Sequence, residues 1–201
     1  MSAELQGSER NGQSLWRGAV AKNGRFELDG LEAGRWSLLL FESGLTLPQR
    51  RSGRLDVDDV AVVGHSAGGL LAVWASAALS GRTRRTRITR VVAQSAVLDL
   101  TDPRARNRPT PRNLMGRHYD EIPERYAQAS PILAPVFDAR VVAIHAGDDA
   151  AVPVESSRRY VEAVSARGQS AELVVVPGEG HDAFVDPRSA CTRQTLRSLG
   201  V

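Results

Sequence analysis

With 201 residues, 42% of them apolar and 24% charged, the chain can bury one hydrophobic core and falls outside the compositions of disordered and membrane-embedded proteins. No apolar run approaches a membrane span and the start of the chain lacks the apolar centre of a secretory leader, so a cytoplasmic location without membrane partners is expected. The single cysteine, Cys191, excludes an intrachain disulfide and implies no thiolate metal site, and the net charge of +3 is carried by arginines with Lys22 as the one lysine.

Met1 to Ser14 is polar and is expected to be a loosely held tail. Leu15 to Phe41 has a β-like pattern: Ala19 and Val20, a turn at Lys22-Asn23-Gly24, Phe26 and Leu28, a turn near Gly30, then the apolar run Trp36 to Phe41. Part of this stretch resembles a segment of small carboxypeptidase-regulatory-like β-sandwich modules. Glu42 to Asp59, with Pro48 and Gly53, reads as a connection. Val60 to Val63 is a short β-branched run, which predicts a buried strand. Leu70, Leu71, Val73, Trp74, Ala77 and Ala78 then recur at helical spacing, with Trp74 expected in the core. Arg82, Arg84, Arg85, Arg87 and Arg90 cluster between this helix and the next strand. They lack interleaved aromatics, so a solvated loop is expected and no nucleic-acid partner.

Arg90 to Ser95 predicts a second strand, followed by Leu98-Asp99-Leu100. Asp102 to Arg112 holds Pro103, Pro109 and Pro111 and is expected to be irregular, whereas Pro123 opens a short helix over Ile122 to Ala129. Residues 101–130 together are expected to form a cap. Arg140 to His145 predicts a third strand, Glu155 to Ala166 an amphipathic helix ending at Gly168, Ala171 to Val176 a fourth strand, and Arg188 to Leu199 a closing helix. Strand and helix alternate with short links. That predicts an α/β fold: a mostly parallel sheet flanked by helices, with functional loops at the carboxyl ends of its strands.

Gly64-His65-Ser66-Ala67-Gly68 lies at a strand-to-helix junction. Glycines two residues either side of Ser66 permit a turn too tight for side chains, which lifts the serine hydroxyl above the sheet edge at a helix N-terminus. A serine hydroxyl needs a histidine to accept its proton, and that histidine needs an acid to fix its tautomer. His181, in the glycine-bounded loop after the fourth strand, and Asp149, in the loop after the third, satisfy both needs and complete the order Ser66, Asp149, His181. Asp148 and Asp99 are the alternative acids. His65 is expected to pack beside the turn, His118 to be exposed and His145 to end a buried strand. Asp182 and Asp186 are expected to be capping or surface carboxylates.

Residues 56–201 resemble an α/β-hydrolase core of the carboxylesterase and kynurenine-formamidase-like group, preceded by an atypical segment over residues 1–55. The resemblance is carried by Gly64 to Gly69, Ser95 to Leu100, Tyr126 to Pro131, Asp149 to Pro153 and Gly180 to Asp182. It implies a serine hydrolase acting on a small carboxylic ester or amide through an acyl-serine, with Ser66 as nucleophile, His181 as base and Asp149 as orienter. It implies neither metal nor organic cofactor. Arylformamidase activity is one possibility within that group, and a homo-oligomer is a further expectation. The group also places a His-Gly-Gly loop after an earlier strand, whose backbone N–H joins that of the residue after the serine in the oxyanion hole. Here Ala67 supplies one donor, but there is no His-Gly-Gly, and Glu42-Ser43-Gly44 is the one upstream glycine-containing loop at a strand end. A hydrolase-like binding domain with impaired turnover, or a truncated product, is therefore the competing expectation.

Overall fold

The structure, a computed structural model, describes residues 38–39, 58–81 and 87–200. The expected N-terminal tail, the β-like runs before residue 38, the Glu42 to Gly44 loop, and Arg82, Arg84 and Arg85 lie outside these residues. The elements in chain order are β1 (Leu38–Leu39), β2 (Val60–His65), α1 (Ala67–Leu79), β3 (Ile88–Gln94), α2 (Pro103–Arg106), α3 (Pro109–Met115) and α4 (Pro123–Ala129). They continue with β4 (Arg140–Ala146), α5 (Glu155–Ser165), β5 (Ala171–Val176) and α6 (Ala190–Leu199). The strands lie side by side in sequence order and every neighbouring pair is parallel. A parallel pair cannot be closed by a hairpin, and β2, β3 and β4 are each joined to the next strand through helices.

Alternation along the strands divides the apolar side chains between two cores. Val91, Ala93 and Val141 face Ala72 and Val73 of α1 and Tyr160 and Val164 of α5. The intervening residues Val92, Val142 and Ile144 face Phe184 and Cys191, with Leu196 and Leu199 of α6 packed against them. The sheet is thus covered on both faces, as the alternation of elements predicts. Ser189 caps α6 by accepting from the Thr192 N–H at 2.9 Å, so this helix begins just after the expected Arg188.

Two expectations are corrected. Asp102 to Arg112 is not irregular: Pro103 and Pro109 each open a short helix at the first position. Proline there has a φ suited to the helix and gives up an N–H that would have no helical acceptor. Asp102 caps α2 by accepting from the Arg104 N–H at 2.9 Å, and α3 ends at Gly116, whose φ of 75° only glycine adopts readily. Trp74 is not in the core. It is 41% exposed and donates from its indole to the Gln128 carbonyl at 2.8 Å, tying the end of α4 to the outer face of α1. The inner face of α1 is filled by Leu70, Val73 and Ser76.

The segment between β3 and β4 has its own small core over the start of α1, made of Leu70, Leu100 and Tyr126 with Val97, Met115, Tyr119 and Ile122. The Tyr126 hydroxyl donates to the Arg117 carbonyl at 2.8 Å, and the Arg106 guanidinium lies 4.3 Å from the centre of the Tyr119 ring. His118 in this segment is exposed. Among the described residues no helix is long and apolar enough to cross a membrane.

The layered packing predicts a contrast in stability. Ile144→Ala, at a site 0% exposed, is expected to cost about 2–5 kcal/mol in urea denaturation, whereas Leu133→Ala, at a site 52% exposed, is expected to stay within about 0.5 kcal/mol.

Candidate active site

β2 runs into α1 through a single residue, Ser66, with φ 54° and ψ −119°. That conformation is strained for any residue with a side chain. The Ser66 N–H is held by the Gln94 carbonyl at 2.8 Å, and the Gly69 and Leu70 N–H groups both reach the Ser66 carbonyl, at 3.1 and 3.3 Å. The turn depends on missing side chains. A Cβ on Gly64 would lie 2.1 Å from the Gly68 carbonyl oxygen, and one on Gly69 would lie 2.5 Å from the Ala96 Cβ. Gly69 was not singled out by the sequence pattern, because its constraint comes from the loop after β3. Ala67 is the first residue of α1, so its N–H has no acceptor within the helix, and no acidic residue occupies the first turn.

The loops after β4 and β5 are joined by main-chain bonds: Gly147 N–H to Val176 O at 2.7 Å and Asp148 N–H to Glu179 O at 2.9 Å. Asp149 and His181 are thereby brought together. His181 Nδ1 donates to Asp149 Oδ2 at 2.7 Å, and the Asp149 side chain is 1% exposed. Asp149 Oδ1 accepts from the N–H groups of Ala151 at 2.8 Å and Val152 at 2.7 Å, and the nearby Ser95 hydroxyl also favours the charged form of this carboxylate. Burial pushes the Asp149 carboxyl up, but the Val152 N–H, His181 and Ser95 hydrogen bonds and the His181 charge outweigh it and hold the group below its ordinary range.

Ser95 is the residue the sequence pattern missed. It sits at the carboxyl end of β3 with φ 42°, and its Oγ also accepts from the Ala146 N–H at 3.2 Å. A polar residue closing an apolar run was the signal for it.

The rival acids have other partners or face solvent, although Asp99 lines the same cavity as Ser66 and His181. Asp99 accepts from the Thr101 N–H and hydroxyl at 2.9 and 2.6 Å and faces Arg159 at 3.6 Å. Asp148 and Asp182 are exposed, and the exposed Asp186 accepts from the Arg188 N–H at 2.9 Å. Cys191 is buried, and burial together with the Glu179 and Asp149 charges pushes its thiol up to about 12, so it is no nucleophile. Among the described residues no group of three or more His, Cys, Asp or Glu side chains is placed to hold a metal ion.

Ser66, Ala67 and His181 line one cavity of about 400 Å³. Its wall is largely apolar, with Leu70, Val97, Leu100, Pro111 and Leu114, and the segment between β3 and β4 forms much of its rim through Arg104, Arg108 and Pro109. β1 pairs in parallel with β2, Leu39 opposite Val63, so the chain leaves β1 at the sheet end where Ser66 sits. The Glu42 to Gly44 loop that follows lies outside the described residues.

A parallel sheet covered on both faces, with a serine on a strained strand-to-helix turn after β2 and an acid–histidine pair on the loops after β4 and β5, defines the α/β-hydrolase fold. Within that superfamily the chain belongs to the prolyl oligopeptidase family, whose model matches residues 49–198. The fold is shared with a truncated carbohydrate esterase from gut microbiota (TM-score 0.61, 20% identity, 73% of this chain and 61% of that one). It is shared too with a thermophilic esterase from the Planctomycetes species Thermogutta terrifontis (TM-score 0.53, 23% identity, 70% and 52%). A putative dipeptidyl aminopeptidase IV from Bacteroides ovatus is similar over 74% of this chain and 20% of its own (TM-score 0.59, 15% identity). The chain therefore spans less than two thirds of the length of each of these structures. No curated protein matches it significantly.

The site makes two predictions. Gly64→Ala is expected to cost about 3 kcal/mol in urea denaturation, because the added Cβ meets main chain rather than a movable side chain. Stability is also expected to fall on acidification in two stages. His65 and His145 are held below the ordinary imidazole value of 6.5, mainly by burial, so the unfolded chain binds more protons than the folded one and stability drops as pH falls below about 6.5. Asp149, also lowered, adds a second loss as pH falls through about 3.8 and below. Urea midpoints measured from pH 8 to pH 3 test the order. A midpoint that rises between pH 6.5 and 5 contradicts the assignment of the two buried imidazoles.

Proposed function

We propose that this chain is a serine hydrolase that cleaves a small carboxylic ester or amide through an acyl-serine intermediate. The observation that carries the reading is the 2.7 Å bond from His181 Nδ1 to the buried Asp149 carboxylate, in a cavity that His181 shares with Ser66. With Nδ1 committed to Asp149, Nε2 is the ring nitrogen left to accept the serine proton. In this reading Ser66 Oγ attacks the substrate carbonyl carbon and its proton passes to His181. The carbonyl π electrons move to oxygen, giving an oxyanion that the Ala67 N–H and the positive end of α1 stabilise. Collapse expels the leaving group, which takes the proton from His181. Water, deprotonated by the same nitrogen, then adds to the acyl carbon; the bond from that carbon to Ser66 Oγ breaks, and Oγ takes the proton back from His181 as the carboxylic acid leaves. Asp149 stays ionised and stabilises the imidazolium.

The cavity supports the substrate class. A volume of about 400 Å³ with a mostly apolar wall suits a small apolar acyl or alcohol portion better than an extended polar chain. Esterases among the similar folds point the same way.

Labelling with a fluorophosphonate and hydrolysis of p-nitrophenyl butyrate test the proposal. Ser66→Ala and His181→Ala are expected to lose about 10⁴-fold or more in kcat and to abolish labelling, and Asp149→Asn to lose roughly 10³–10⁴-fold. A folded wild-type protein that does not label, or a Ser66→Ala variant as active as wild type, overturns it.

A further inference from the structure

Three of the four histidines of the chain gather about the Asp149–His181 pair, and the proposed chemistry uses only one of them: His145 Nε2 lies 3.6 Å from Asp149 Oδ2, and His65 packs on His181. The other two make the same kind of bond. His65, the last residue of β2, approaches the His181 carbonyl oxygen with Nε2 at 2.9 Å, and its ring centre lies 4.6 Å from that of His181 and 5.4 Å from that of Phe184. His145, near the end of β4 and 0% exposed, approaches the Val152 carbonyl oxygen with Nε2 at 2.9 Å, while its Nδ1 lies 2.8 Å from the Ser157 hydroxyl. A carbonyl oxygen only accepts, so both rings carry a proton on Nε2. For His145 the Ser157 hydroxyl then donates to Nδ1, which selects that tautomer.

The two acceptors set these bonds apart from ordinary satisfaction of a buried ring. One is the main chain of His181 itself. The other belongs to Val152, whose N–H holds Asp149 Oδ1 at 2.7 Å, so Val152 is fixed at its carbonyl by His145 and at its amide by the acid. We propose that His65 and His145 are positioning residues, the first clamping the backbone of the catalytic base and the second the turn that presents the acid. This rests on the serine-hydrolase reading above. Neither ring exchanges a proton with substrate. Each removes freedom from a loop whose displacement by about an ångström would cost on the order of a hundredfold in rate.

The experiment uses the full chain, p-nitrophenyl butyrate and the fluorophosphonate probe, with urea midpoints to show that each variant is folded. His65→Leu and His145→Leu are expected to lower kcat and the labelling rate by about 10- to 100-fold, with KM within about threefold of wild type. His65→Gln and His145→Gln, which keep a side-chain N–H directed at the same carbonyl, are expected to recover at least a third of that loss on a logarithmic scale. Should His145→Leu fail to fold, Ser157→Ala decides its half by releasing the tautomer, with an expected fall in kcat of about 3- to 10-fold at unchanged KM. Folded leucine variants with wild-type kcat, glutamine variants as impaired as the leucine ones, or a Ser157→Ala variant at full rate overturn the clamp at that histidine. A wild-type protein that neither labels nor turns over overturns the hydrolase reading instead.

Discussion

Asp149 is a carboxylate with almost no contact with water, and placing such a charge inside a protein costs several kcal/mol unless its oxygens are satisfied. Here one oxygen takes two peptide N–H groups and the other the His181 ring, with the Ser95 hydroxyl joining them. The donors come from the loops after β4 and β5, and Ser95 joins them from the end of β3, so three adjacent parallel strands meet at this group. Holding one charge therefore fixes the relative positions of the ends of β3, β4 and β5. Main-chain bonds reinforce this: Ser95 N–H to Ile144 O at 2.8 Å ties the residue after β3 to β4, and Gly147 N–H to Val176 O ties the residue after β4 to the end of β5. Parallel strands all present their carboxyl ends on one side, which is why a single carboxylate can organise all three.

The elbow solves a different problem with the same economy of space. A residue with φ near 54° and ψ near −119° costs on the order of 1–3 kcal/mol, and Ser66 remains there because its neighbours leave no alternative. Its N–H belongs to the β2–β3 ladder, its carbonyl to the first turn of α1, and Gly64 and Gly69 let the helix sit against the strand and the β3 loop. The strained residue lines the cavity at the point where the strand gives way to the helix.

Much of this was legible in the sequence because it is written in local pattern. Val60 to Val63, Arg140 to His145 and Ala171 to Val176 are runs rich in β-branched residues with glycine or proline close behind them, and Glu155 to Ser165 is strongly amphipathic, so these elements follow from periodicity. The contact between Asp149 and His181 was legible only through the order of loops along a parallel sheet. What stayed hidden depends on partners far along the chain. Ser95 reads as the end of a strand until the next loop supplies a carboxylate for it. Trp74 reads as core because α1 is apolar all round, and its exposure is decided by which face the sheet occupies. The prolines of α2 and α3 read as breakers because composition alone does not distinguish a first helical position from an interior one.

The segment between β3 and β4 is coupled to the site through a shared residue. Arg108, which enters α3, donates to the Ala151 carbonyl, and the Ala151 N–H is one of the donors to Asp149. Asp102, which caps α2, takes Arg104 at 3.1 Å and also Arg159 from α5, and Arg159 reaches Asp99 as well. Two of the attachments of the cavity rim therefore run to the loop that holds the acid and to the helix that follows it. A rim attached only to solvent-facing side chains could shift to admit larger molecules without consequence for the chemistry. Here the rim is tied to the site instead, since Arg108 holds one side of a residue whose other side donates to Asp149.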